Sequence, residues 1–257
     1  MAQIITISSR QDNYIWLLMK DGYAVVVDPG EARPVERVLK EQQLQLAAIL
    51  LTHHHDDHVG GVAELLAAHP NCRLYGPDEA LLNHFRALQV MQDGDRLALP
   101  ELDTEFQVLA LPGHTQSHIG FYGPLGLFCG DVLFGGGCGR LLGGTPEQML
   151  TSLHRLKSLP GDTWVYCAHE YTWDNLRFCL TVEPDNQALL ERVRRCAKLR
   201  RQGVPTVPFP LAEEQTTNCF LRTDQPSVRS AAQMMAMSEC NNEIEIFVFL
   251  RQKKNNF

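Results

Sequence analysis

A chain of 257 residues with 44% hydrophobic and 21% charged side chains has the make-up of a globular protein with a real core, large enough for one big domain or a medium one with a smaller attachment. No apolar run approaches the roughly 18 residues that span a bilayer, and a formal net charge of −7 argues against nucleic-acid or anionic-membrane partners. The start, MAQIITISSRQDNYIW, lacks a basic leader and apolar centre, and the eight cysteines form no C-x-x-C pair, so a cytoplasmic chain with reduced thiols is expected.

In chain order, YIWLLM and YAVVVDPG read as two antiparallel strands joined by an Asp-Gly turn. PVERVLKEQQ has Val35, Val38 and Leu39 at helical spacing, and LAAILLT is short and continuously apolar, as a buried strand is. GVAELLAAHP reads as a helix closed by Pro70; CRLYGP, EFQVLALPG, IGFYG and LGLFCGD are strand-sized segments ending in Gly, Pro or Asp. TPEQMLTSLHRLKSLP reads as a helix with Thr145 as N-cap and Pro146 in its first turn, followed by the buried strand TWVYCAHE. Strands alternate with helices, so the class is α/β.

Past residue 172 strand patterns become scarce. DNQALLERVRRCAKLRRQG places Leu189, Leu190, Val193, Cys196 and Ala197 on one helical face, VPTVPFP reads as a connector, and SVRSAAQMMAMSE as a further helix. A boundary falls near residues 169 to 174, which divides the chain into 1–170 and a helical 171–257.

The stretch ILLTHHHDDHVGG puts four histidines and two aspartates into six consecutive positions, 53 to 58. In an extended segment residues two apart point the same way, so His53 and His55 can converge on one cation. Asp57 and His58 lie where the chain turns and face a second position. His54 and Asp56, on the alternate positions, are expected to be exposed or to support a ligand. A metal needs three or four protein ligands, and further donors stand at predicted strand ends: His114 in LPGHT, Asp131 in LFCGD and His169 in CAHEYT.

These residues carry a resemblance. Thr52, His53, His55, Asp57 and His58 match the T-H-x-H-x-D-H signature of the metallo-β-lactamase superfamily. Along nearly its whole length the chain resembles the glyoxalase II (hydroxyacylglutathione hydrolase) family, through DNYIWLL, VDPG, THHHDDHVGG, PGHT, CGD, LFGGGCGR, GGTPEQM and AHEYT in order. The resemblance implies a four-layer αβ/βα sandwich followed by a small α-helical domain; no heptad or large apolar stripe compels a dimer, so a monomer is expected. It implies that His53, His55 and His114 hold one divalent metal ion, that Asp57, His58 and His169 hold a second, and that Asp131 bridges them. Zinc is the expected metal, with iron and manganese as alternatives. It also implies that Arg140, Tyr171, Arg251 and Lys254 contact a glutathione thioester.

The chemistry can be argued without the family. Two divalent cations roughly 3.5–4 Å apart bring a shared water towards a pKa of about 7 and polarise a carbonyl, so no nucleophilic serine or cysteine is required. A thiol leaving group with a pKa of about 8.5 departs with little acid assistance. On the ligand set that the resemblance implies, Asp57, His58 and Asp131 are the expected catalytic residues. A carboxylate at 131 suits two harder cations, whereas a thiolate there would favour zinc alone. In LRQKKNNF, Arg251 and Lys254 are three apart and share a helix face, a local basic patch for an anionic substrate.

Leu142 stands where many relatives carry an aromatic residue, Ser117 where glycine is usual and Cys219 where proline is frequent; none of these is a ligand position. His118 is four residues from His114 and is expected to orient a ligand or to make a structural hydrogen bond. The glycines 135–137 are expected to allow close backbone approach, and Cys138 to be a packed thiol. Persulfide dioxygenase, lactonase, dizinc β-lactamase and tRNA nuclease activities share the scaffold, and a metal-dependent binding module without turnover is the reading from another class.

Overall fold

The computed structural model describes residues 2–237, 240 and 242–257. It divides into two compact units, Met1–Ala110 with Ser117–Gly130, and Leu111–Gln116 with Asp131–Phe257.

The first unit holds a six-stranded sheet in the order β1 (Gln3–Ser9), β2 (Asn13–Lys20), β3 (Tyr23–Val27), β4 (Gln45–Leu50), β5 (Arg73–Pro77) and β6 (Leu88–Met91). The first three strands are antiparallel, and β2 and β3 are joined through Asp21 and Gly22, whose φ angles of 48° and 84° are those of the tight hairpin that an Asp-Gly pair favours. From β3 onward the pairing is parallel, because the connections are long enough to cross over, through α1 (Ala32–Glu41) and then α2 (Asp56–Val59) and α3 (Val62–Ala68). Val35 and Leu39 of α1 and Val62 and Leu65 of α3 join Leu17, Val26, Ile49 and Leu74 in one core. Every residue of β4 after Gln45 is buried, so the strand is anchored on both faces and its end is a fixed platform for the histidine-rich stretch. The same unit carries an antiparallel meander of β7 (Arg96–Leu99), β8 (Thr104–Ala110), β9 (Ile119–Gly123) and β10 (Gly126–Gly130).

The second unit begins its ordered elements with a two-stranded hairpin, β11 (Leu133–Phe134) and β12 (Gly137–Cys138). It continues with α4 (Pro146–Lys157), β13 (Trp164–Cys167), α5 (Thr172–Val182), α6 (Gln187–Arg201), β14 (Phe209–Pro210), α7 (Leu211–Thr217), α8 (Pro226–Ala236) and α9 (Glu243–Asn255). The start of α4 is the capping box that its sequence predicts: Thr145 accepts from the Gln148 amide while the Gln148 side chain accepts from the Thr145 amide. α6 ends where Gly203, at φ 68°, turns the chain.

Several elements escape the sequence pattern. β1, β6, β7 and α5 were not anticipated, and the connector VPTVPFP contains β14, which pairs with β13. The helix expected over 227–239 spans Pro226–Ala236; Ser238 and Glu239 lie outside the described residues. Among the described residues no helix is long and apolar enough to cross a membrane.

Candidate metal centre

The histidine-rich stretch leaves β4 at Leu51 and turns into α2, so His53 and His55 precede the helix while Asp57 and His58 lie in it. His53 is fully buried, and its Nε2 lies 3.0 Å from Nδ1 of His55. The second pair is Asp57 and His58, with Oδ2 3.6 Å from Nε2. His54 and Asp56 point elsewhere: His54 Nδ1 lies 3.5 Å from Glu79, and the exposed Asp56 pairs with Arg10 at 2.6 Å.

His53, Asp57 and His58 each have a further polar group beside them. Asp28, buried and at φ 51°, accepts from the Thr52 amide at 2.8 Å and the Thr52 hydroxyl at 2.7 Å. That hydroxyl, its proton committed to Asp28, sits 3.1 Å from Nδ1 of His53 and accepts from it, which leaves His53 Nε2 with its lone pair. The other oxygen contact of Asp28 is to Nδ1 of His58, at 3.0 Å. Asn13 donates to Asp57 Oδ2 at 2.9 Å, and His118 stacks on His53 with ring centroids 4.8 Å apart. A partner at one ring nitrogen fixes the tautomer and orientation of the imidazole, as the outer partners of metal-binding histidines do.

The second unit holds the other three predicted donors. Asp131 follows β10, and its carboxylate divides: Oδ2 is 3.4 Å from His114 Nε2 and Oδ1 is 3.4 Å from His169 Nε2. All three residues are buried. His114 donates from Nδ1 to the carbonyl of Arg140 at 2.8 Å, so its Nε2, beside Asp131, carries the ring's lone pair. The ring of Tyr171 stacks on that of His169 at 4.7 Å and 7°.

The residues expected to bind substrate also lie in this unit. Arg140, Leu142, Val248, Arg251, Gln252 and Asn255 line a cavity of about 290 Å³. Arg251 on α9 is 6% exposed and donates to the carbonyl of Cys138 at 2.8 Å, and its guanidinium lies over Phe220. Burial lowers the Lys254 amine below its ordinary value, and the neighbouring Arg251 lowers it further. Cys138 is buried, and burial drives its thiol up, away from the thiolate form.

The amino-acid sequence matches the model of the metallo-beta-lactamase superfamily over residues 10–169 and that of the hydroxyacylglutathione hydrolase C-terminus over residues 170–257. It is 54% identical to the hydroxyacylglutathione hydrolase of Tolumonas auensis, over all of both chains, and 49% identical to that of Aeromonas hydrophila, again over all of both. The chain belongs to the hydroxyacylglutathione hydrolase family. Among solved structures, TTHA1623 in a di-iron-bound form is 34% identical, with a TM-score of 0.54, and the match covers 65% of this chain and 91% of that one.

The fold is accordingly the α/β metallo-β-lactamase fold with a helical C-terminal region, as expected. Clusters of histidine and aspartate among the described residues mark this hydroxyacylglutathione hydrolase as a binder of divalent metal. Sequence reasoning gave no role to Asp28 and Asn13, the groups that hold His58 and Asp57. Their signal lay in VDPG and DNYIWLL, where a polar residue stands at the end of an otherwise apolar strand.

Proposed function

We propose that this chain hydrolyses S-(2-hydroxyacyl)glutathione thioesters, S-D-lactoylglutathione being the type substrate, to glutathione and the free 2-hydroxy acid, the second step of methylglyoxal detoxification. The observation that carries this reading is the Asp131 carboxylate, which offers one oxygen beside each of two histidines, as a bridge between two cations requires.

In this reading His53, His55 and His114 hold one divalent cation, Asp57, His58 and His169 the other, and Asp131 joins both. The donor set fits: it contains imidazole nitrogens and carboxylate oxygens and no thiolate, and His53 and His114 each have the second ring nitrogen engaged by hydrogen bonding. Zinc, iron and manganese all suit such donors. When bound, the cations supply Lewis acidity, which polarises the thioester carbonyl and acidifies water at neutral pH. The chain's own work is to orient. Asp28 and Thr52 aim the histidines, Asn13 holds Asp57 in place, and Asp57, His58 and Asp131 set where the reacting carbonyl meets water.

Arg140, Tyr171, Arg251 and Lys254 bind the glutathione moiety, whose two carboxylates need placed cations in a chain of net charge −7. In this reading the segment 1–170 carries the catalytic residues and Arg140, and 171–257 carries the other three substrate contacts; the two family models, over 10–169 and 170–257, support a boundary there. The enzyme acts as a cytoplasmic monomer on a small molecule. Purified protein incubated with S-D-lactoylglutathione tests the reading: thioester absorbance should decay with turnover, and a chain that leaves the substrate untouched while fully loaded with metal is not a glyoxalase II.

A further inference from the structure

The hairpin of β11 and β12 has only glycine at its turn, and helices crowd it from behind. A Cβ on Gly135 would stand 2.3 Å from Thr172 Oγ1, and one on Gly136, at φ 67°, 2.7 Å from Leu176. A tip this close to α5 has amides and carbonyls that water cannot reach, so side chains must satisfy them. Asn175 donates to the Gly135 carbonyl at 3.1 Å, Asn218 donates to the Gly137 carbonyl at 3.0 Å, and the Gly136 amide donates to Glu214 Oε2 at 2.9 Å.

Glu214 is completely buried, with Arg192, itself 3% exposed, bound to its other oxygen. Burial opposes the charge on Arg192, but the Glu214 and Glu213 carboxylates outweigh it and raise its pKa. A buried Arg–Glu pair contributes little net stability compared with apolar residues of the same volume, so stability alone does not account for this one. What the carboxylate does for the hairpin does. The hairpin's second strand carries the Cys138 carbonyl that receives Arg251, and the segment just past it carries the Arg140 carbonyl that receives His114 Nδ1. One loop thus seats a substrate-binding arginine and a metal-ligating histidine, and its far end is gripped by Glu214.

We propose that Glu214 is a positioning residue, which holds the Gly136 amide and so fixes the loop on which His114 and Arg251 are oriented. The roles of those two residues rest on the thioesterase reading above. A core ion pair with no positioning role would alter stability while leaving metal affinity and KM alone.

Two double variants separate these cases. Arg192→Met with Glu214→Gln keeps a side-chain oxygen for the Gly136 amide, whereas Arg192→Met with Glu214→Met removes it; both eliminate the buried charge pair. The acceptor-free variant should bind Co²⁺, titrated by its absorption, several-fold more weakly than the acceptor-retaining one. It should also show a KM roughly tenfold higher, the fold-change that one buried hydrogen bond carries. Equal Co²⁺ affinity and equal KM in the two overturn the proposal. Should neither double variant fold, Glu214→Asp keeps the charge but draws the carboxylate back from the Gly136 amide by one methylene; it should raise KM several-fold, and a KM and Co²⁺ affinity equal to the parent's overturn the proposal equally. Because the Co²⁺ titration needs no turnover, a parent chain inert towards S-D-lactoylglutathione would sink the thioesterase reading and leave this comparison intact.

Discussion

Nδ1 of His58 lies 3.0 Å from Oδ2 of Asp28, and the two side chains are 1% and 3% exposed. A carboxylate there favours the tautomer with the proton on Nδ1 and the lone pair on Nε2, and makes the imidazole a better donor. Asp28→Asn keeps the size and the bond to the Thr52 hydroxyl but removes the charge. It should weaken metal affinity by roughly 10–100-fold, the range for loss of such supporting partners, with little change in far-UV circular dichroism. Competition against a chromogenic chelator measures it.

Chemistry and recognition should separate on mutation. His58→Ala should suppress kcat at every substrate concentration. Arg251→Ala should act chiefly on KM, raising it at least roughly tenfold, since a charge-assisted contact to a carboxylate is lost. Because Arg251 also donates to the Cys138 carbonyl, the same variant should lose about 1–3 kcal/mol of stability, the cost of a buried acceptor left unmade. Initial-rate kinetics alongside urea unfolding distinguish the effects.

The glycine hairpin leaves no room for a methyl group. Gly136→Ala combines a positive φ with a clash against Leu176, and should lower stability by about 1–3 kcal/mol. Gly94→Ala is the control: it also has a positive φ, 85°, but meets nothing within 4 Å. The difference in unfolding midpoint between the two isolates the packing cost.

Acid sensitivity should trace in part to Glu183. Burial alone would raise its carboxyl, but hydrogen bonds from Arg222 and Ser227 outweigh burial and hold it below the ordinary 4.5. Its folded-state pKa is therefore lower than its unfolded one. The stabilisation is fully present above about pH 4.5 and disappears as pH falls through the folded value. Unfolding free energy measured from pH 6 down to pH 3 should fall less steeply in Glu183→Gln than in the parent; parallel curves would remove Glu183 from the account.

The contrast between what the chain displays in sequence and what it withholds is physical. Alternation along LTHHH sets His53 and His55 apart from His54 because extended backbone has a period of two, whereas Asp57 and His58 are placed by the turn into α2. The DG hairpin and the Thr145 cap were legible because each depends on two or four adjacent residues. By contrast α5, TWDNLRFCLTV, is rich in β-branched and aromatic residues with poor helix propensity; packing against the glycine hairpin, which local pattern does not contain, makes it a helix. Asp28 and Glu214 were silent for the same reason: their partners, His58 and Gly136, lie 30 and 78 residues away in the chain.

Metal stoichiometry against turnover tests the central claim most directly. Protein stripped by a chelator should be inactive towards S-D-lactoylglutathione, and stepwise return of Zn²⁺ should restore hydrolysis until the curve breaks at two equivalents per chain. Full thioester hydrolysis by the stripped protein, or a break at one equivalent, would contradict a paired-cation centre.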